Sequence, residues 1–133
     1  MKKGVLLNSE ISYEIAKIGH TQTITISDAG LPIPKNVKCI DLAVTKQVPS
    51  FLQVLDAVLS EMKVEKIILA KEINKKAPLL KEQILERFPQ NESALEFVKH
   101  EQFKKMTEES NVIIRTGETT SYANIILKSG VTF

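Results

Sequence analysis

The sequence predicts an α/β fold in which helices cover both faces of a largely parallel sheet. Short apolar runs of strand length alternate along the chain with amphipathic stretches of helix length, which is typical of βαβ units. The 133 residues are enough for a substantial core but not for two independent ones. No repeat, linker or low-complexity tract divides them, so residues 1–133 are expected to form a single domain.

The first half of the chain supplies two predicted helices and two predicted strands. Residues 9–19 have isoleucines at helical spacing and a closing glycine, which predicts a helix. Residues 23–27 alternate between hydroxyl and isoleucine side chains, as in a half-buried strand. A glycine and two prolines keep residues 30–34 irregular, and residues 37–42 form the next strand. Residues 50–62 then carry the apolar stripe of a second helix.

The second half of the chain continues the alternation. Its predicted segments are a buried strand at 65–70, a helical region at 71–88 with Pro78 in a first turn, a possible short strand within 91–98, a short helix starting at His100, and strands at 112–115 and 123–127. The last two strands can pair directly as a hairpin, and such a hairpin would make the sheet mixed.

The composition argues against several classes of partner. The chain carries 18 basic and 16 acidic residues, for a net charge of +2, and has no basic cluster with interleaved aromatic residues. Cys39 is the only cysteine, which excludes an internal disulfide and is typical of a reducing compartment. No cysteine or histidine cluster predicts a metal site, and no segment approaches membrane-spanning length. We therefore expect a cytoplasmic protein that binds neither nucleic acid nor membranes.

Two apolar features favour self-association. The final segment, residues 130–133, carries no charged side chain, although chain ends usually fray in solvent. The predicted helix at 50–62 is also strongly apolar. Packing in the core explains such a helix more often than an interface does. The sequence therefore indicates an oligomer mainly through its C-terminus.

The residues around the first predicted strand suggest acid–base chemistry. His20, one of only two histidines, precedes this strand, and Asp28 follows it directly. A rigid strand could present an imidazole and a carboxylate to one small molecule. Alternatively, His20 simply ends the preceding helix, where the dipole favours histidine, and Asp28 makes a local turn. The local sequence alone favours this structural alternative.

Several further segments match one family in the right order. They are Met1-Lys2-Lys3-Gly4 and Leu7-Asn8-Ser9-Glu10-Ile11-Ser12, Gly19-His20-Thr21 with Asp28-Ala29-Gly30-Leu31-Pro32-Ile33-Pro34, Val48-Pro49-Ser50-Phe51, His100-Glu101-Gln102-Phe103-Lys104, Arg115-Thr116-Gly117-Glu118, and Tyr122-Ala123-Asn124-Ile125-Ile126-Leu127. This ordered set resembles the D-ribose pyranase family, the ribose mutarotases that accompany ribose uptake in bacteria. A sister family acts on L-fucose, and the loop at 30–34 looks like that of the ribose branch.

The resemblance implies a fold, an assembly and a set of site residues. The implied fold is a three-layer α/β/α arrangement around a mixed, mainly parallel sheet, in subunits that form pentameric rings stacked as a homodecamer. The implied active site lies at a subunit boundary and uses no cofactor and no metal. By position, His20 corresponds to the catalytic acid. The residues in sugar-binding positions are Asp28, His100, Tyr122, Ala123 and Asn124.

Two positions depart from the family pattern. Gln22 stands where the pattern has an aspartate after Gly-His-Thr, which removes a charge near His20 and can alter how its imidazole is oriented. Ser121 stands where the pattern has a proline before the tyrosine, which loosens the loop that carries Tyr122. Neither departure removes a residue expected to act in catalysis.

The predicted residue types suit the interconversion of ribose ring forms. Opening the ring requires a proton on the ring oxygen and the loss of one from the anomeric hydroxyl, and reclosure reverses both transfers. An imidazole with an ordinary pKa of about 6.5 supplies both protonation states near neutral pH. Tyr122 and Asn124 offer donors and acceptors to a polyol, although packing between loop and strand explains them about equally well.

Alternatives remain for individual residues and for the function. His100 also fits an ordinary position at the start of a helix, and Arg115 with Glu118 is better interpreted as a structural pair than a catalytic one. The protein could act on L-fucose or another monosaccharide, or be a sugar-binding subunit without turnover. The leading hypothesis is a cofactor-free D-ribose isomerase.

Overall fold

The fold is described from a computed structural model that covers residues 1–133. It contains six strands, five α-helices and one 3₁₀ turn. In chain order these are α1 (Ser9–Lys17), β1 (Thr23–Ser27), β2 (Lys38–Asp41), α2 (Phe51–Leu59), β3 (Val64–Ala70), α3 (Ile73–Lys76), α4 (Pro78–Leu85), β4 (Ala94–Val98), α5 (His100–Met106), the 3₁₀ turn (Thr107–Glu109), β5 (Val112–Arg115) and β6 (Ile125–Ser129).

All six strands form one sheet in the order β2-β5-β1-β6-β3-β4. Strand β6 is antiparallel to both of its neighbours, and the other strand pairs are parallel. The prediction of a mixed, mainly parallel sheet is confirmed. The alternative of a hairpin between the last two strands does not occur, because β1 lies between β5 and β6. Residues 116–124 therefore cross the carboxyl end of β1 instead of making a tight turn.

Alternating side chains in the strands divide the interior into two layers. Ile24 and Ile26 of β1 belong to a large apolar cluster that includes residues of α1, α2, α3 and α4. On the opposite face, Ile68 and Ile126 pack with Phe103 of α5 in a smaller cluster. The buried residues of β5 are apolar on both faces, as expected for a covered sheet, whereas β1 also buries Thr25 and Ser27. The three-layer α/β/α prediction is confirmed, with one layer much thinner than the other.

Local capping determines where the helices begin. The side chain of Asn8 accepts a hydrogen bond from the backbone N–H of Ile11 at 2.9 Å, so Asn8 caps α1. Ser50 and Gln53 form a reciprocal capping box at the start of α2. Pro78 occupies the first turn of α4, as predicted. The predicted helical region 71–88 is interrupted just before Pro78 and forms two helices, α3 and α4.

The helix ends differ from the predictions by a few residues. Helix α1 ends at Lys17 and α2 ends at Leu59, where longer helices are predicted. The residues beyond each end still pack against the core, because Ile18 contacts the large cluster and Met62 is buried in it. The apolar pattern thus continues past the regular helix. No helix of the chain is both long and apolar enough to cross a membrane.

A buried carboxylate joins α1 to the edge strand β2. Glu14 is buried, and its two oxygens lie 3.0 Å from the ammonium groups of Lys17 and Lys38. Burial by itself raises the pKa of Glu14, but the hydrogen bonds from Lys38 and Lys17 outweigh it, so the pKa lies below its ordinary value of 4.5. The ionised carboxylate is therefore the form that stabilises the fold.

We predict that Glu14→Gln destabilises the protein by about 1 kcal/mol at pH 7, because both lysines are partly exposed and keep water as a partner. Because the pKa of Glu14 is lower in the folded than in the unfolded state, its contribution is complete above pH 4.5 and is lost as the pH falls through the folded value. Urea unfolding at a series of pH values measures this difference. Glu10→Gln, on the same helix but exposed, is the matched control; an equal effect of both variants would contradict the prediction.

Candidate active site

A polar cavity of about 280 Å³ lies where the parallel strands end. It is lined by Asp28, Gly30, Leu31, Pro32, His100, Ser121, Tyr122 and Asn124. Asp28 follows β1, His100 follows β4, and Asn124 directly precedes the antiparallel β6, so the sheet topology brings them to one edge. This edge is where open α/β sheets bind ligands. Four of the six predicted site residues line the cavity, and a fifth, Ala123, is fully buried beside them.

Asp28 is held in one orientation by Asn124. The Asn124 side chain is buried; its Oδ1 accepts from the Asp28 backbone N–H at 2.9 Å, and its Nδ2 donates to Asp28 Oδ2 at 3.0 Å. The other carboxylate oxygen, Oδ1, accepts from the Gly30 backbone N–H at 2.9 Å. Each carboxylate oxygen keeps a free lone pair, so Asp28 is a preorganised acceptor for hydroxyl groups.

Two charged residues anchor the loops on either side of Asp28. The Arg115 guanidinium donates to the carbonyl of Ala29 through Nε at 3.1 Å and Nη2 at 3.0 Å, and its Nη1 pairs with Asp41 at 3.0 Å. The buried Glu118 accepts from the Phe51 backbone N–H at 3.1 Å, while its own carbonyl accepts from the Ala29 N–H at 2.9 Å. The predicted pairing of Arg115 with Glu118 is wrong, because each binds a different partner.

Tyr122 adopts a strained backbone conformation at the mouth of the cavity. Its φ of 64° lies in the left-handed region that side chains with a Cβ rarely adopt. The Tyr122 carbonyl accepts from the Asn124 N–H at 2.8 Å, and the ring packs against both apolar clusters. Its centroid lies 5.1 Å from that of His100, in an edge-on arrangement. These contacts position Tyr122 without a proline at position 121.

His100 is fixed by its backbone and by its ring. Its backbone N–H donates to both carboxylate oxygens of Glu72, at 3.1 and 3.0 Å, so Glu72 caps α5 from another loop. The ring stacks on Phe103 with centroids 6.4 Å apart. Ring atom Nδ1 is buried and has no hydrogen-bond partner. A proton on Nδ1 would leave a buried donor unpaired, so we assign the proton of the neutral ring to Nε2.

His20 lies at the opposite end of the sheet. It precedes β1 in a second cavity of about 390 Å³, which is also lined by the C-terminal residues 129–133. The five residues of β1 that separate it from Asp28 span about 16 Å. The sequence hypothesis that β1 presents His20 and Asp28 to one small molecule is therefore wrong within a single chain. The structural alternative for His20 is also wrong, because α1 ends three residues earlier, at Lys17.

The surroundings of His20 leave it accessible. Its side chain is 50% exposed, and its Nε2 lies 2.8 Å from Oε2 of Glu65, at the start of β3. Sequence analysis missed Glu65 and Glu72, which contact the two histidines across 45 and 28 residues of chain. The structure contains no cluster of three or more His, Cys, Asp or Glu side chains that could hold a metal ion.

Comparisons of the sequence with known proteins identify full-length relatives. The model of the RbsD / FucU transport protein family matches residues 1–132. A Rhodopirellula baltica protein named D-ribose pyranase is 54% identical over 135 residues, and the match covers all of both chains. A Haemophilus influenzae protein of the same name is 53% identical over 139 residues, again with full coverage of both.

Solved structures also resemble this chain. The structure of Bacillus subtilis RbsD complexed with D-ribose is 41% identical and superposes with a TM-score of 0.94 over all of both chains. A fucose mutarotase from Streptococcus pneumoniae, in complex with L-fucose, covers all of both chains with a TM-score of 0.80 and 24% identity. At that identity the second similarity concerns the fold alone.

The Asn124–Asp28 contact predicts an unusual pH dependence in a variant. Asn124→Asp replaces the donor to Asp28 Oδ2 with a second carboxylate, and two like charges at that distance cannot both remain ionised without cost. We expect the variant to be destabilised by about 2 kcal/mol or more at pH 7. Protonation of the pair relieves the repulsion, so the deficit relative to the natural protein should shrink as the pH is lowered toward 4.

Denaturant unfolding at neutral and acidic pH measures this effect. Asn124→Ala is the matched control, because it also removes the donor but adds no charge, and its deficit should lack this acid relief. A deficit in Asn124→Asp that shrinks no more on acidification than that of Asn124→Ala would contradict the proposed geometry.

Proposed function

The chain belongs to the RbsD / FucU transport protein family, and we propose that it is an isomerase that interconverts the pyranose and furanose forms, and the anomers, of D-ribose. The observation that carries this proposal is its identity of more than half, over the full length, with proteins named D-ribose pyranase. The similar structure of Bacillus subtilis RbsD complexed with D-ribose supports the choice of sugar.

The cavity at the carboxyl ends of the strands suits a small polyol. Asp28 accepts hydrogen bonds from sugar hydroxyls, and Nε2–H of His100 donates to a hydroxyl oxygen. Tyr122 contributes an apolar ring face together with a hydroxyl, and Asn124 keeps Asp28 in place. Sugar hydroxyls need several fixed polar partners, because an unpaired buried polar group costs about 1 to 3 kcal/mol.

The active site is completed by two copies of the chain. His20 and the Asp28 cavity lie at opposite ends of β1, which is far longer than a monosaccharide is wide. One copy therefore supplies the imidazole and a neighbour supplies the sugar-binding residues. Exposed apolar side chains near both chain ends, among them Val5, Leu7 and Phe133, offer surface for such contacts. We propose a homodecamer of two pentameric rings.

His20 and Asp28 exchange protons with the sugar, and His20 acts as the acid in ring opening. In ring opening, its imidazolium donates a proton to the ring oxygen, the bond from C1 to that oxygen breaks, and the anomeric hydroxyl releases its proton to the carboxylate of Asp28. The open aldehyde recloses through a different hydroxyl, or through the same one on the other face, and both protons return. Positioned acid–base catalysis of this kind supplies about 10² to 10⁴ in rate.

The reaction as proposed needs no cofactor or metal, because the two side chains supply and accept the protons that accompany breaking and re-forming the bond from C1 to the ring oxygen. The enzyme is proposed to act in the cytoplasm, and the single cysteine, Cys39, is typical of that compartment.

We predict that His20→Ala lowers the exchange between ribose ring forms at least about a hundredfold, because the proton-transferring group is lost. Magnetisation transfer between the anomeric signals of equilibrated ribose measures this exchange, with L-fucose run in parallel. Circular dichroism and sedimentation serve as controls for folding and assembly. Near-normal exchange in His20→Ala would contradict the role of His20. Faster exchange of L-fucose than of ribose would contradict ribose as the substrate. Loss of exchange on chelation would contradict a metal-free reaction.

We also predict that the active protein is a decamer at micromolar concentration, because a single chain carries only two separated halves of the site. Sedimentation equilibrium measured together with exchange activity tests this. A monomer that retains full activity per chain would contradict both the assembly and the shared site.

A further inference from the structure

Glu65 occupies an irregular position in the sheet. In the antiparallel pairing of β3 with β6, Val64 is opposite Ser129 and Lys66 is opposite Lys128, so the register shifts between them and Glu65 is the extra residue. Such β-bulges redirect a side chain and are frequent beside active sites. Gly130 leaves room for the bulge, because a Cβ at position 130 would lie only 3.1 Å from the Cβ of Glu65.

The redirected carboxylate reaches His20. Glu65 Oε2 lies 2.8 Å from His20 Nε2, and Glu65 Oε1 lies 3.5 Å from the ammonium of Lys128. The hydrogen bond from His20, assisted by Lys128, holds the pKa of Glu65 below its ordinary value, so the group is an anion at neutral pH. Glu65 therefore accepts a hydrogen bond from Nε2–H, and Nδ1 is the ring nitrogen left free.

Gln22 does not hold the His20 imidazole in the way that Glu65 does. Its side-chain oxygen accepts from the Gly19 backbone N–H at 2.8 Å, and its carbonyl accepts from the Ser129 N–H at 2.9 Å. Thr21, between Gln22 and His20, has a φ of 71° and donates its N–H to the Ser129 carbonyl at 3.0 Å. The turn is thus fixed by its backbone, and the carboxylate beside His20 comes from β3 instead of residue 22.

We propose that Glu65 is the positioning residue of His20. It accepts the hydrogen bond from Nε2–H, directs Nδ1 toward the sugar as the atom that transfers the proton, and stabilises the imidazolium by its negative charge. The inference rests on the proposed function, since it assigns the orientation of the acid–base group in the same site.

The remaining charged groups around His20 are paired with other residues or weaken the stabilisation of the imidazolium by Glu65. Glu61 lines the same cavity but pairs with Lys2 at 3.0 Å, and Lys63 pairs with Glu92 at 3.9 Å. Lys128 lies against Glu65 and partly offsets its charge. Glu65 is the acidic side chain that is bonded directly to the imidazole.

The test compares Glu65→Gln with Glu65→Ala in the assembled enzyme. We expect Glu65→Ala to lower kcat for ribose exchange about ten- to a hundredfold while KM changes little, a smaller loss than in a fully buried triad because this pair is partly exposed. Glu65→Gln keeps an oxygen acceptor of the same shape but loses the charge. It should retain more activity than Glu65→Ala, and its rate–pH profile should shift to lower pH because the imidazolium is less stabilised.

A spectroscopic readout accompanies the kinetics. In the natural protein the His20 Nε2–H is expected as a protected ring-proton resonance, which should be lost in Glu65→Ala. Assignment is simple because the chain has only two histidines. Glu96→Gln is the matched control, since it removes one carboxylate paired with a lysine, Lys66, elsewhere on the sheet. Glu96→Gln should leave both the rate of ribose exchange and its pH profile unchanged.

The outcomes separate this inference from the proposed function. Loss of exchange in His20→Ala, with natural rate and pH profile in Glu65→Gln and Glu65→Ala, would overturn the role of Glu65 alone. Absence of ribose exchange in the natural protein would instead overturn the proposed function, and undiminished exchange in His20→Ala would overturn the role of His20 and with it that of Glu65. A Glu65→Gln protein that assembles normally, but loses ribose affinity with unchanged kcat, would also contradict the proposal, because Glu65 would then act in binding.

Discussion

The common direction of five strands is the constraint on which the rest of this molecule depends. Because these strands are parallel, their carboxyl ends meet at one edge and their amino ends at the other. The loops after β1 and β4 and the loop before β6 therefore converge on Asp28, while the turn before β1 and the bulge in β3 converge on His20. Under the proposed function, one chain thus holds two complementary half-sites. The proposed association between copies would bring them to one sugar.

Each half-site is stabilised by contacts outside the groups that face the sugar. Asn124 and Arg115 hold the loop of Asp28, and Glu118 connects that loop to the start of α2. Tyr122 retains a strained backbone because its ring and carbonyl are both engaged. Backbone strain of this kind costs about 1 to 3 kcal/mol and persists only where the surroundings enforce it. The polar groups of the cavity are consequently rigid before any ligand arrives.

The two histidines illustrate how different surroundings adapt one residue type to two tasks. His100 has a buried Nδ1 without a partner and a backbone N–H held by Glu72, so its ring is fixed in place beside the cavity. His20 is half-exposed and bonded to an anionic carboxylate, which suits a ring that gains and loses protons. In the proposed function, one residue type thus serves recognition at one edge of the sheet and chemistry at the other.

In this protein the local sequence predicts individual helices and strands well, but it predicts poorly which strands lie side by side and which distant side chains meet. The bounds of β1, the position of Pro78 and the mixed character of the sheet follow from periodicity, turn residues and family resemblance. The insertion of β6 between β1 and β3 cannot be predicted in this way, because the alternation of side chains shows which face of a strand is buried but not which strand lies beside it. The contacts of Glu65 with His20 and of Glu72 with His100 join residues far apart in sequence, and no local pattern indicates them. The separation of His20 from Asp28 follows simply from the length of an extended strand.

The most direct test of the shared site is complementation between two inactive variants. His20→Ala and Asp28→Ala are purified separately, unfolded together and reassembled in equal amounts, and ribose exchange is compared with that of each variant treated alone. If each site takes His20 from one copy and Asp28 from another, random mixing restores on the order of a quarter of natural activity, because that fraction of sites receives both natural residues. Mixed assemblies that remain as inactive as their parents would contradict a site built from two copies.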